Sequence, residues 1–399
     1  MNHQLSRRYF IRASTTIALA QILSGCSNAK AMLQVLFIEN SIPRQLIGDF
    51  HKSVNNGQKV DFQPEAQLSQ IFNRLNDLHS NKKSEQKAQN LLEKIFNKSV
   101  IYPNLITMGD AWLSSAIGQN LLEPLSVKDL TNWQKLPADW QKLVRRNSEG
   151  YLADDGKIYG APYRWGSTVI AYNSEKIDEL GLTLRDWQDL WLPELRDRIS
   201  LLDSPREVIG LTLKKLGKSY NTEDLNSVAN LPAELSKLHR QTKLYSSDRY
   251  LEPLILGDTW AAVAWSEDVL PLLKRYDELK LVIPESGTSL WADLWVKPQY
   301  RTFGVTDNEK ATIIDQWIDY CWRSQAAKQI SLFTDGISPI LSTLKPAEIP
   351  QDLQDNIFLN SPILNSDKSE FLLPLTPETE RQYRDLWLKI RLYSRTKLR

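Results

Sequence analysis

Trp291-Ala292-Asp293 sets an indole and a carboxylate two residues apart, and in a strand that spacing puts both on one face. Such a pair suits a pocket wall or a crossing between lobes. An aromatic face can meet a cation, and a carboxylate can form charge-assisted hydrogen bonds. Glu207 offers a second carboxylate, and with Ser204 and Pro205 before it the segment also reads as a helix capping box. Trp265 ends an apolar run, Trp165 precedes Gly166, and Asp110 and Trp112 follow an apolar strand as Glu39 follows an earlier one. Plainer roles stand beside these. Glu207 can simply complete the cap, Trp265 can pack in a core, Trp165 can fill a crossover, and Asp110 can cap the helix it begins. Arg164 lies among them, suited either to pair with a pocket acid or to meet an anionic ligand.

Catalytic chemistry has no comparable set. The four histidines, His3, His51, His79 and His239, make no short-spaced metal pair, and neither an HExxH nor a cysteine-rich site exists. Gly166-Ser167-Thr168 lacks the spacing of a nucleophile elbow. Gly217-Lys218-Ser219 imitates the end of a phosphate loop, but the earlier glycine would fall on Thr212 and the segment ends a helix instead of beginning one. No catalytic residue, metal or cofactor is expected. An exported α/β hydrolase and a structural lipoprotein with a closed cleft are the competing readings.

The elements that must position these residues alternate. Strands are expected at 33–38, 59–62 and 104–108, with helices after each, the second running through 68–97 with a solvated interruption at 80–86. This βαβαβ run predicts a mostly parallel sheet covered by helices, whose ligands sit beyond the carboxyl ends of the strands. Residues 158–173 read as strand on both sides of a Trp165-Gly166 break, where a second lobe begins. Further strands are expected at 199–203, 260–265 and 289–296, and a helix from Pro205 closed by Gly217.

The 399 residues suit two lobes, and 42% hydrophobic with 24% charged residues excludes disorder, collagen and a multi-span membrane protein. A net charge of +1 carries no basic surplus for nucleic acid. Thirteen tryptophans are unusual, and about a third are expected near a ligand. The first residues read as an address. Arg7-Arg8 precede an uncharged run at 13–25, too short for the roughly 20 residues of a spanning helix. The pair resembles a twin-arginine export signal, and Leu23-Ser24-Gly25-Cys26 resembles a lipobox, which implies cleavage after residue 25, lipid on Cys26 and a tether at 26–32. Cys321 then has no internal disulfide partner and is expected to be a buried small hydrophobe.

Tyr159-Gly160-Ala161-Pro162-Tyr163-Arg164-Trp165-Gly166-Ser167-Thr168 with Tyr172-Asn173, then Arg206-Glu207-Val208, then Pro284-Glu285-Ser286-Gly287-Thr288-Ser289-Leu290-Trp291-Ala292-Asp293, resemble the spermidine/putrescine-binding periplasmic proteins of ABC importers. The resemblance covers roughly 33–345. It implies a two-lobed, type II-like periplasmic-binding-protein fold of the α/β class with a ligand cleft between lobes, here 33–163 plus 294–332 and 164–293 plus 333–399. It also implies a periplasmic receptor that delivers a polyamine-like solute to a permease of the inner membrane and touches the membrane only through its lipid. By the same resemblance Trp291 packs on the amine chain, Asp293 and Glu207 bind amines, and Trp265 walls the pocket. The sequence departs from the family where Ser204 replaces a second acid, at Ile38-Glu39-Asn40-Ser41, and at Gly109-Asp110-Ala111-Trp112. Substitutions in a cleft wall are expected to spare folding.

Overall fold

The computed structural model describes residues 33–53, 60–85, 102–299 and 307–393. Arg7, Arg8 and Cys26 lie outside them, as does the end of the helix expected through residue 97.

The first strands include two apolar, largely buried runs, as a parallel sheet requires, and a more polar, partly buried edge strand at 60–65. They are β1 (Leu33–Ile38), β2 (Val60–Glu65) and β3 (Leu105–Gly109), with helices α1 (Arg44–Ser53) and α2 (Leu68–Glu85) between them and α3 (Asp110–Gly118) after them. β1 pairs in parallel with both β2 and β3.

Next comes a strand of 13 residues, β4 (Ala161–Asn173), buried along all but its last two positions. Three elements of the second region follow: β5 (Ile199–Leu201), α4 (Pro205–Lys215) and β6 (Thr242–Tyr245). β7 (Ala261–Trp265) leads directly into α5 (Ser266–Leu273), and β8 (Leu279–Val282) precedes β9 (Ser289–Pro298). The helices α6 (Asp307–Cys321), α7 (Ser324–Phe333) and α8 (Pro377–Tyr393) complete the chain.

The strand order is β2-β1-β3-β9-β4-β7-β5-β6, with β8 also on β4. The fold is α/β and two-lobed, and β4 explains how the lobes connect. Its residues from Ala161 to Ser167 pair antiparallel with β9, whereas Thr168 to Tyr172 pair with β7. One strand therefore belongs to both halves of the sheet. The break expected at Trp165-Gly166 does not exist, because the backbone runs straight through it. Glycine is needed at 166 for a different reason: a Cβ there would overlap the Trp291 ring and the Ser266 hydroxyl. Beside β4 a third segment joins, since Trp165 and Ile337 exchange backbone hydrogen bonds of 2.8 and 2.9 Å.

Six of the thirteen tryptophans are buried. Trp187, Trp295, Trp317 and Trp322 are fully buried and Trp133 nearly so. Trp317 packs between Phe50 and Phe62 with centroids 4.9 and 4.7 Å away, while Tyr163 stacks on Trp295 at 4.6 Å. Cys321 is buried beside them, and the Trp322 Nε1–H donates to Pro162 O at 2.6 Å. These contacts lock β4 and β9 to α6.

Candidate functional site

Where β4 and β9 run side by side, Asp293 faces Arg164 and Trp291 faces Gly166. The register slips between Asp293 and Leu294, a local bulge of the kind that re-aims side chains. The result is a buried ion pair. Arg164 Nε and Nη2 both donate to Asp293 Oδ2, at 2.8 and 2.5 Å, and Nη2 also donates to Glu267 Oε2 at 2.7 Å. Nη1 donates to Thr334 O at 3.0 Å, in the segment just after α7. The guanidinium lies 5.7 Å from the centre of the Trp291 ring. Arg164 is 3% exposed and Asp293 1%, so solvent does not screen them.

Burial penalises the charge of Arg164, yet Asp293 and Glu267 outweigh it and hold the group above the usual arginine value. Neither carboxylate is fully compensated by sharing one guanidinium. Burial raises Asp293 against the lowering pull of Arg164. Burial also pushes Glu267 up to about 8, with Asp293 and Asp268 adding repulsion. Glu267 sits in the first turn of α5, keeps 19% of its side chain exposed, and was not singled out as a site residue from sequence. A helix-opening acid after a buried strand looks like an ordinary dipole-compensating residue, and only the fold brings it to Arg164.

Glu207 begins α4 and is 5% exposed. Half of its expected capping box forms: the Ser204 hydroxyl accepts the Glu207 N–H at 3.4 Å. The Glu207 carboxylate instead turns inward and accepts the Ser289 hydroxyl at 2.7 Å, where β9 starts. Burial raises its pKa, with Ser289 opposing the rise. Asp110 is likewise not a cap. Gly109 holds that position, and the Asp110 carboxylate accepts the Ala292 N–H at 2.8 Å, behind Trp291 and Asp293. Burial pushes Asp110 up to about 7.

The remaining candidates separate. Trp165 is 7% exposed and packs its ring on Trp140, which in turn meets Phe371. Trp265 is half-buried against the edge of Tyr250, whose hydroxyl donates to Asp268 at 2.5 Å. Trp112 turns instead to Phe72 of α2, 5.0 Å away, and Glu39 is exposed at the end of β1. Among the described residues no hydrogen bond, ion pair or ring contact joins these two to the Arg164 cluster. A buried hydroxyl chain, also missed from sequence, runs from Thr107 through Tyr163 to Ser41 at 3.2 and 2.9 Å. Among the described residues no group of three or more His, Cys, Asp or Glu is arranged to hold a metal ion, and no helix is long and apolar enough to cross a membrane.

Comparison with known proteins gives a matching family model, described as bacterial extracellular solute-binding protein, over residues 101–359. A spermidine/putrescine-binding periplasmic protein of Salmonella typhimurium is 34% identical over 176 residues, 44% of this chain and 47% of that protein. The protein of the same description from Escherichia coli is 26% identical over 213 residues, 53% of this chain and 56% of that one. The chain thus spans about half the length of the curated relatives it matches. A solved spermidine/putrescine ABC transporter substrate-binding protein from Streptococcus pneumoniae superposes with a TM-score of 0.71 at 19% identity, covering 90% of this chain and 98% of that one. A lipoprotein of Treponema pallidum does so at 0.63 and 16%, with 90% and 98% coverage. At these identities the two structures speak to the fold.

Proposed function

Since the chain belongs to the bacterial extracellular solute-binding proteins, we propose that it is the receptor of an ABC importer for a polyamine or related small amine. It is exported by the signal around Arg7-Arg8, held outside the cytoplasmic membrane by lipid on Cys26, and passes its solute to an inner-membrane permease without catalysis. Its lobes are 33–163 with 294–332 and 164–293 with 333–399, closing on the solute between them. Trp291, Asp293, Trp265, Glu207 and Trp165 wall the cleft, with Asp110 behind. The similarity to spermidine/putrescine-binding proteins of Salmonella typhimurium and Escherichia coli supports an amine.

One observation carries the reading: among the described residues Arg164 alone pairs with Asp293 and Glu267, with Asp268 adding to the negative field. An acid excess in a dry wall is unfavourable until a cation joins it. An ammonium supplies that charge, and Trp faces accommodate its methylene chain as well as its cation. A neutral or anionic solute gains nothing from this field.

The test is to purify the exported domain natively and identify co-purified small molecules by mass spectrometry. A bound amine is expected; a bound organic anion would overturn the solute assignment. The anchor is tested separately. Cys26→Ser should lose lipid labelling and leave the membrane fraction, because acyl chains supply the attachment energy. Retention of that variant after a high-salt wash would rule the lipid out.

A further inference from the structure

Four of the five guanidinium N–H bonds of Arg164 have assigned acceptors: two meet Asp293, one Glu267 and one Thr334 O. The same group sits over the Trp291 ring. A cation on an aromatic face between two carboxylates is the arrangement an alkylammonium would seek, and here a side chain of the protein already makes it. The arm is accommodated along its whole length. Gly336 leaves room for its stem, since a Cβ there would overlap the Cγ and Cδ of Arg164. Gly166 leaves room for the Trp291 ring beneath it. The Trp291 Nε1 is buried without a hydrogen-bond partner, so the indole contributes its face and not its N–H.

We propose, on the basis of the amine-receptor reading, that Arg164 occupies one cation subsite of the cleft from within the chain and thereby sets specificity. The receptor takes a solute carrying a single ammonium group on an apolar body in preference to a linear diamine. The first ammonium of a diamine would have to displace a guanidinium held by two carboxylates. Bound beside Arg164, a diamine would set three positive charges against the two carboxylates that hold the guanidinium, Asp293 and Glu267. A mono-cationic solute needs only the uncompensated remainder: the exposed side of Glu267, with the half-buried Trp265 nearby. Arg164 is therefore a specificity-determining residue, and its removal frees a second ammonium position over Trp291.

The experiment is calorimetric titration of the lipid-free domain and of Arg164→Gln with putrescine, spermidine and N-acetylputrescine, in which one ammonium is masked. Wild type should bind N-acetylputrescine at least as well as putrescine. The variant should reverse that order, with a gain for putrescine of about tenfold or more, the worth of one charge-assisted hydrogen bond. Because the variant leaves two buried carboxylates facing each other, Arg164→Ala is melted in parallel with 1-ethylguanidinium. The small cation should raise the melting temperature of the variant and leave wild type unmoved; equal effects on both would overturn the subsite. Wild type and variant sharing one diamine-to-monoamine order would overturn the proposal while leaving the amine reading intact, and would mean that the arm swings aside. No heat from any amine with either protein would overturn both.

Discussion

Asp110 accepts the backbone N–H of Ala292, the residue between Trp291 and Asp293, at 2.8 Å. The first residue of α3 thus fixes the strand segment that carries Trp291 and Asp293. Burial, against the lowering pull of this hydrogen bond, makes the Asp110 carboxyl pH-sensitive. Burial raises Asp110 to about 7, whereas an unfolded aspartate titrates near about 4. Between those values the native state holds a proton that the unfolded state has lost, so this contribution to stability is full below pH ~4 and is lost as pH rises through ~7.

Asp110→Asn keeps an oxygen for the Ala292 N–H and cannot ionise. The variant should melt at a higher temperature than wild type at pH 8 and close to it at pH 4. A variant that melts lower than wild type at pH 8 would show that the charged carboxylate is stabilising after all.

Ser289→Ala should destabilise by about 1–3 kcal/mol, the penalty for leaving the buried Glu207 carboxylate without its hydroxyl donor. Urea unfolding measures it as a lower midpoint at unchanged slope. Were Glu207 chiefly a capping residue, Ser289→Ala would cost nothing and Ser204→Ala would carry the loss.

A substitution at Asp293 should not spare the fold, contrary to the expectation from sequence, because the structure buries this carboxylate against Arg164. Asp293→Asn should cost about 1–3 kcal/mol, the worth of a charged hydrogen bond, because Glu267 still compensates Arg164. Thermal and urea midpoints should both fall. A loss below about 1 kcal/mol, the worth of an exposed pair, would mean that water reaches the pair.

The fold was legible because β1, β3 and β7 are short, mostly apolar runs, a pattern that parallel and fully buried strands share. Trp165-Gly166 was misread because glycine signals a break in sequence, whereas here it yields space to Trp291, a residue 125 positions later. The pairing of Arg164 with an acid was open in sequence, since its sign fits either a pocket acid or an anionic ligand. Glu267 was illegible as a partner because its local setting, a helix first turn, accounts for an acid without any site. The hydroxyl chain through Tyr163 was hidden for the same reason: Ser41, Thr107 and Tyr163 lie on three separate segments, and no spacing links them.

The most direct measurement of the central claim is a calorimetric titration of the lipid-free domain at pH 6 and pH 8 with N-acetylputrescine, spermidine and a dicarboxylate. Glu267, raised to about 8, is protonated at pH 6 and increasingly charged at pH 8. A cation therefore has more negative charge to meet at the higher pH. The account predicts amine binding that tightens from pH 6 to pH 8 with release of protons to the buffer, and no heat from the dicarboxylate. Dicarboxylate binding without amine binding would contradict it, and would assign Arg164 to meeting an anionic solute.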